Sequence, residues 1–416
     1  MAMTGVSANE VDLSDPGFWA RPNEEREAAF AALRREKPVA FFEEPEYSVA
    51  NLPPGPGYWA LTKFDDVWHA SRHPDTFSSA QGVNIGDMPP EIAEFFGSMI
   101  AMDAPRHTKL RGIVQRGFTP RHIARIEDYI KSTAARIVDR VAPMGECDFV
   151  TEIAAQLPLQ IICDMLGIPA EKHQRVFELT NMILGVGDPE YSTTIEQLMA
   201  SAMELYQLAM DLGQERLDDP QDDLTTSLMQ AELDGERLTT QEFGSFFILL
   251  TAAGNETTRN AISHGMKALT DHPDQRRRWM DDLAGVGPTA VDEIVRWASP
   301  VIHFRRTLTK DVEIRGRQIR AGEKVVLWYG SANRDEDHWD RPFTFDVTRK
   351  PNDHVGFGAG GPHFCLGANL ARREIQVMFE ELFTRLPDIE VTGPPEMLQS
   401  SFIHGIKRMP CAFTPR

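Results

Sequence analysis

Cysteine is scarce in this chain: four in 416 residues, at Cys147, Cys163, Cys365 and Cys411, none in a Cys-x-x-Cys spacing. That disfavours a zinc cluster and a disulfide scaffold, and fits a reducing compartment. Long hydrophobic runs are missing too. The best, Phe246 to Gly254, is interrupted by Thr251 and falls short of a membrane span, so no membrane anchor is expected. Residues 1–20 carry acids and lack an apolar block behind a basic start, so no secretion signal is read. There is no basic excess: the net charge of −19 argues against nucleic acid as a partner. No repeat, low-complexity tract or Ser/Gly linker divides the chain. These absences predict a cytoplasmic protein. Residues 1–416 read as one domain, mainly α with a small β region (α+β), the first 14 residues being flexible.

What is present centres on Phe357-Gly358-Ala359-Gly360-Gly361-Pro362-His363-Phe364-Cys365-Leu366-Gly367. Four glycines and a proline make a loop. Beyond it, Leu366, Leu370, Ile375, Met378, Phe379, Leu382, Phe383 and Leu386 take helical spacing. Cys365 therefore stands where a glycine-rich loop enters a helix, a place that favours an anion and predicts a readily ionised thiol. Read alone, Cys365 is as well explained as a buried thiol beside a turn.

Three further patterns carry polar groups at set spacing. His107 and Arg111, behind Asp103-Ala104-Pro105, lie i, i+4 on one helix face and could grip an anion or form a solvated face. Thr239-x-x-Glu242 is a capping box that opens a helix running to about Leu269. Within it, Ala252-Ala253-Gly254-Asn255-Glu256-Thr257-Thr258 follows five apolar residues. Glycine, a carboxylate and threonines suit a helix centre poorly, and threonine can bond back and open the helix locally. Glu293 and Arg296 form an i, i+3 pair on a helix stopped by Ser299-Pro300, which alone means little. Strands are expected at Val39–Phe42, Tyr58–Thr62, Val301–Arg306 and Lys324–Trp328, and a short helix within residues 15–37.

Taken in order, these segments resemble the cytochrome P-450 superfamily of haem-thiolate monooxygenases, over about residues 15–413. The resemblance implies that fold, with a long central helix over haem b and Cys365 as the iron ligand. Gly361, His363, Cys365 and Gly367 fit the haem-loop signature, but Phe357 lies one residue further upstream than the signature places it. It further implies that His107, Arg111, Arg306 and His363 face the haem propionates. Glu256 and Thr257 would handle protons for O2 cleavage. Glu293–Arg296 would be a buried structural pair whose third partner is Arg341 or Arg349. Substrate would meet Phe95, Phe96, Phe246, Leu250, Val301, Ile302 and Phe402, under a loop over residues 81–105.

The loop and groove sequences look like soluble actinobacterial, especially mycobacterial, members that oxidise methyl-branched lipids, terpenoids or sterol side chains. The expected activity is insertion of one oxygen atom of O2 into a C–H bond of an apolar, methyl-branched lipid or terpenoid. Electrons would come from a ferredoxin and ferredoxin reductase, met by a basic face at Lys109, Arg116, Arg121, Arg125, Arg372 and Arg373. A sterol hydroxylase, or a haem-thiolate ligand-binding protein without turnover, stays open as an alternative.

Overall fold

A computed structural model describes residues 6–44, 55–88, 92, 96, 98–191, 194–233 and 235–416. Its axis is a helix of 32 residues, Thr240–Asp271. The Thr239 hydroxyl accepts the Glu242 N–H and the Glu242 carboxylate accepts the Thr239 N–H, so two otherwise unpaired donors at the helix start are satisfied. Bonding of Thr257 Oγ1 to the Ala253 carbonyl (2.8 Å) does not interrupt the helix, contrary to the expected local opening.

Other helices wrap this axis. Gly254 faces the helix Gln156–Leu166, where a Cβ would stand 3.0 Å from Ile162 Cγ1. The glycine's place in the sequence is thus explained by close helix packing. Leu283–Ala298 and Ala368–Arg385 pack on the axis beyond it. Phe247, Ile262, Met266, Ile294, Met378 and Phe379 from these helices are buried in one large apolar core.

The β region is small. One sheet has the order Val39–Phe42, Tyr58–Leu61, Lys324–Trp328, His303–Leu308 and Phe77–Ser78. Only the pairing of Lys324–Trp328 with Tyr58–Leu61 is parallel. The strand expected from Val301 begins at His303; Val301 instead makes an isolated antiparallel bridge to Ile403. The helix expected within residues 15–37 is two, Pro16–Trp19 and Asn23–Glu36, because Pro22 cannot continue the first. Of the first 14 residues, the structure describes those from 6 onward. Ala8, Val11 and Leu13 are buried against the sheet, and Trp19 Nε1 donates to the Leu13 carbonyl. No described helix is long and apolar enough to cross a membrane.

Candidate haem-thiolate site

The cysteine loop is built from its glycines. Gly358, Gly360 and Gly361 have φ of 82°, 76° and 82°, which L-residues with side chains adopt at a cost. At Gly361 a Cβ would also stand 2.3 Å from the Ser71 carbonyl oxygen. What lies against this glycine is therefore the chain itself. The loop closes by a Cys365 N–H to Phe357 carbonyl bond of 2.9 Å, so it is one residue longer yet still returns to Phe357. The Phe357 ring carries the Arg372 guanidinium 4.6 Å above its centroid.

Burial pushes the Cys365 thiol up, against the expectation of ready ionisation; the Gly367 N–H and the Arg111 and Arg372 charges pull it the other way. Desolvation wins over the loop-to-helix field. A bound cation would reverse that balance.

Cationic and imidazole groups gather beside the loop. The His107 and His363 rings lie with centroids 4.2 Å apart, tilted by 41°, and Nε2 of each is buried without a hydrogen-bond partner among the described residues. Burial holds both rings below their ordinary pKa, His363 down to about 3, with Arg306, His107 and Arg111 adding repulsion at His363. Burial also lowers Arg111 and Arg306. Arg111 Nη2 donates to the Phe364 carbonyl at 2.6 Å, and Arg306 Nη1 to the Arg305 carbonyl at 2.7 Å. Neither guanidinium has an ion pair among the described residues. Two orphaned donors or acceptors and two uncompensated cations near one thiol fit a group carrying carboxylates on one edge and a metal at its centre. The residues present therefore fit haem.

On the central helix Glu256 and Thr257 part company. Thr257 is half-buried, whereas Glu256 is fully buried. Glu256 Oε1 accepts from Arg259 Nη2 and from Asn260 Nδ2 (2.9 Å), and Oε2 has no partner among the described residues. Arg259 Nη1 continues to Asn181 Oδ1 at 2.7 Å. Sequence reasoning missed Arg259 and Asn260, although their i+3 and i+4 positions relative to Glu256 were visible.

Glu293 is the most heavily bonded carboxylate of the site. Arg296 meets it with two bonds of 2.8 Å, Arg349 Nε at 3.0 Å, the Asp346 N–H at 2.9 Å and Asn352 Nδ2 at 3.2 Å. The third partner is thus Arg349; Arg341 contributes its carbonyl to Arg349 at 3.1 Å. Nearby, Asp292 accepts from Arg372 (2.7 Å) and faces His354 Nε2 (3.3 Å). The segment leading into the cysteine loop is thereby tied to the helix Leu283–Ala298.

Three of the residues expected to meet substrate come together in the structure. The Val301–Ile403 bridge and the Ile302 N–H to Phe402 carbonyl bond (2.8 Å) bring Val301, Ile302 and Phe402 together. Phe304, overlooked in the sequence, lies 5.6 Å from the Phe402 ring. Ile302 shares an apolar cluster with Ile85, whereas Phe246 and Leu250 are buried in the large helical core with Phe96 against it. Phe95 lies outside the described residues. Asp103 anchors the end of the long loop by accepting from Ser78 Oγ (2.5 Å) and the Ser79 N–H (3.0 Å).

The expected basic face is partly spent. Arg372 pairs with Asp292 and Arg373 with Glu127, leaving Arg121 and Arg125 exposed.

The sequence profile of the family Cytochrome P450 matches residues 288–401. The chain is 53% identical over 412 residues, 98% of its length and 96% of the relative's, to the methyl-branched lipid omega-hydroxylase of Mycobacterium tuberculosis (strain ATCC 25618 / H37Rv). It is 44% identical over 401 residues, 95% of this chain and 83% of the relative, to the steroid C26-monooxygenase of Rhodococcus jostii (strain RHA1). Among solved structures, a Mycobacterium marinum cytochrome P450 in complex with pseudoionone superposes with a TM-score of 0.94 at 44% identity, covering 99% of this chain and all of the other.

Proposed function

The chain belongs to the cytochrome P450 family, and on that premise we propose that it hydroxylates a methyl-branched lipid near one end of the molecule. The observation that carries the substrate class is the full-length 53% identity to a methyl-branched lipid omega-hydroxylase. The apolar wall of Val301, Ile302 and Phe402 supports it, because such a surface offers about 25 cal/mol per Å² buried and few hydrogen bonds to hold a polar ring.

Haem b, when bound, supplies the activation of O2 and the insertion of one of its atoms into a C–H bond. Cys365 would hold the iron. His107, Arg111, Arg306 and His363 would hold the propionates, relieving the repulsion among these groups and giving the buried imidazole nitrogens a partner. Reduction of the second oxygen atom to water consumes two protons. Thr257 donates its hydroxyl hydrogen to the Ala253 carbonyl, so its oxygen lone pairs are left to accept from a water. Glu256 Oε1 is fixed by Arg259 and Asn260, and Oε2 is the oxygen left open to a water or a proton donor. The electrons come from a ferredoxin, whose acidic surface would be drawn to Arg121 and Arg125.

The test is titration of the haem-loaded protein with methyl-branched and straight-chain acids and alcohols, sterols and compact aromatics, following the haem absorption band. Products with a surrogate ferredoxin and reductase are then located by mass spectrometry. Tight binding and terminal hydroxylation of branched chains is expected. Productive binding of sterols alone would move the assignment to a steroid side-chain hydroxylase. Binding of polar aromatics alone would overturn it.

A further inference from the structure

We propose that Cys147 and Cys411 form a modification site, converted by hydrogen peroxide to a disulfide that ties the C-terminal strand to the body of the protein. In the three-stranded sheet of Glu390–Val391, Pro410–Ala412 and Glu146–Asp148, Cys411 stands directly opposite Cys147. Their Sγ atoms are 3.6 Å apart. The Phe413 N–H bonds to the Gly145 carbonyl and the Phe149 N–H to the Met409 carbonyl, each at 2.8 Å, two residues either side of the pair. By the alternation of an antiparallel ladder the cysteines occupy a hydrogen-bonded site, where Cα atoms lie about 5.5 Å apart. Disulfides most often bridge separations of about 5.5–6 Å. Joining the sulfurs therefore calls for side-chain rotation and a local approach of the two Cβ atoms, from the roughly 4.5–5.5 Å of a ladder pair to the roughly 3.5–4.5 Å of a disulfide, with the strands kept in register.

The two thiols are unequal. Cys147 is half-buried, Cys411 fully buried. The contact with Cys411 holds the Cys147 thiol below its ordinary pKa, while the same contact and then burial push Cys411 up. Cys147, the half-buried thiol of the two and so the one open to peroxide, is the attacking sulfur. Its thiolate takes one oxygen of the peroxide, the O–O bond breaks, and the hydroxide released leaves as water with the Cys147 proton. Cys411 sulfur then displaces hydroxide from the sulfenic acid; the S–O bond breaks, the S–S bond forms, and the Cys411 proton leaves with the hydroxide as water. Two thiols have lost two electrons and one peroxide has become two waters. Cys163, buried in the helical core with its thiol raised by burial, has no such partner and is the internal control.

The haem-loaded wild-type protein is treated with a small excess of hydrogen peroxide at neutral pH, alkylated under denaturing non-reducing conditions and mapped by mass spectrometry. The expected product is a peptide pair joined through Cys147 and Cys411, lighter by two hydrogens and separated by dithiothreitol, with a raised thermal midpoint before reduction. Cys411→Ser should instead leave a Cys147 sulfenic acid that dimedone labels, and Cys163→Ser should behave as wild type. Complete alkylation of both cysteines after peroxide would overturn the proposal. So would a cross-link that forms only in urea, or oxidation of Cys411 that survives Cys147→Ser. The wild-type map stands whether or not a variant folds.

Discussion

Thr257 and Glu256 are adjacent in sequence but differ in what surrounds them, and their substitutions should separate accordingly. Among the described residues Thr257 bonds only its own helix, so Thr257→Ala is expected to keep the fold and to bind haem and substrate. Its cost should appear in coupling: less product per NADH and more hydrogen peroxide, measured side by side. Wild-type coupling would remove Thr257 from proton handling. Glu256 is locked to Arg259 in a buried pair. Arg259→Met should therefore destabilise the protein by about 3–5 kcal/mol, because it leaves a buried carboxylate uncompensated. A urea midpoint within error of wild type would contradict the buried pair. The motif was legible because glycine, carboxylate and threonine fit a buried helix so poorly. What sequence could not supply was the direction each side chain takes, which depends on the neighbouring helices.

At the scale of elements, the cysteine loop is held in place by two devices of different kinds. One is conformational. Gly361 combines positive φ with contact against Ser71, so Gly361→Ala should cost roughly 1–3 kcal/mol from φ alone and more from the clash. The expected result is a lower thermal midpoint and loss of haem during purification; full haem retention would show that the loop tolerates the side chain. The other is electrostatic. Glu293 joins Arg296 on its own helix to Arg349, 56 residues on, and both arginines feed the carbonyls of residues 340–344. Glu293→Ala leaves two buried guanidinium groups facing each other and should prevent accumulation of folded protein. The i, i+3 pair was readable from sequence and the third member was not. A contact across 56 residues is created by the fold, and either Arg341 or Arg349 could have been in reach.

For the whole molecule, motif order was enough to identify the architecture, whereas the substrate walls were read only in part. Apolar side chains look the same in sequence whether they line a cavity or fill a core, and Phe246 and Leu250 are buried with the helical cluster. Buried titratable groups raise a different matter, the pH at which the assembly is most stable. His264 and His404 are buried ring to ring, 4.1 Å apart, with Arg26 and Arg334 near. Burial lowers His264 to about 4 and His404 well below its ordinary value. Their contribution to stability is present above the unfolded histidine pKa of about 6.5 and is lost as pH falls through the folded values. Glu374, buried on the helix after the cysteine loop without an ion pair among the described residues, has its carboxyl raised well above the usual range by burial. Its contribution is present below about pH 4.3 and is lost as pH rises towards the folded value. Stability should therefore peak at mildly acidic pH, with an alkaline limb of about 1.4 kcal/mol per pH unit for the one proton at Glu374. General repulsion among the acids that give the net charge of −19 would also produce such a limb, but salt screens it. Urea midpoints measured from pH 5 to 8 (roughly the range in which these groups exchange protons) at high salt separate the two. Glu374→Gln should flatten the limb that survives salt, raise stability at the alkaline end, and steepen the rise through the histidine range, where the carboxyl no longer opposes it. Parallel curves for Glu374→Gln and wild type would show that the carboxyl is not held protonated in the folded protein.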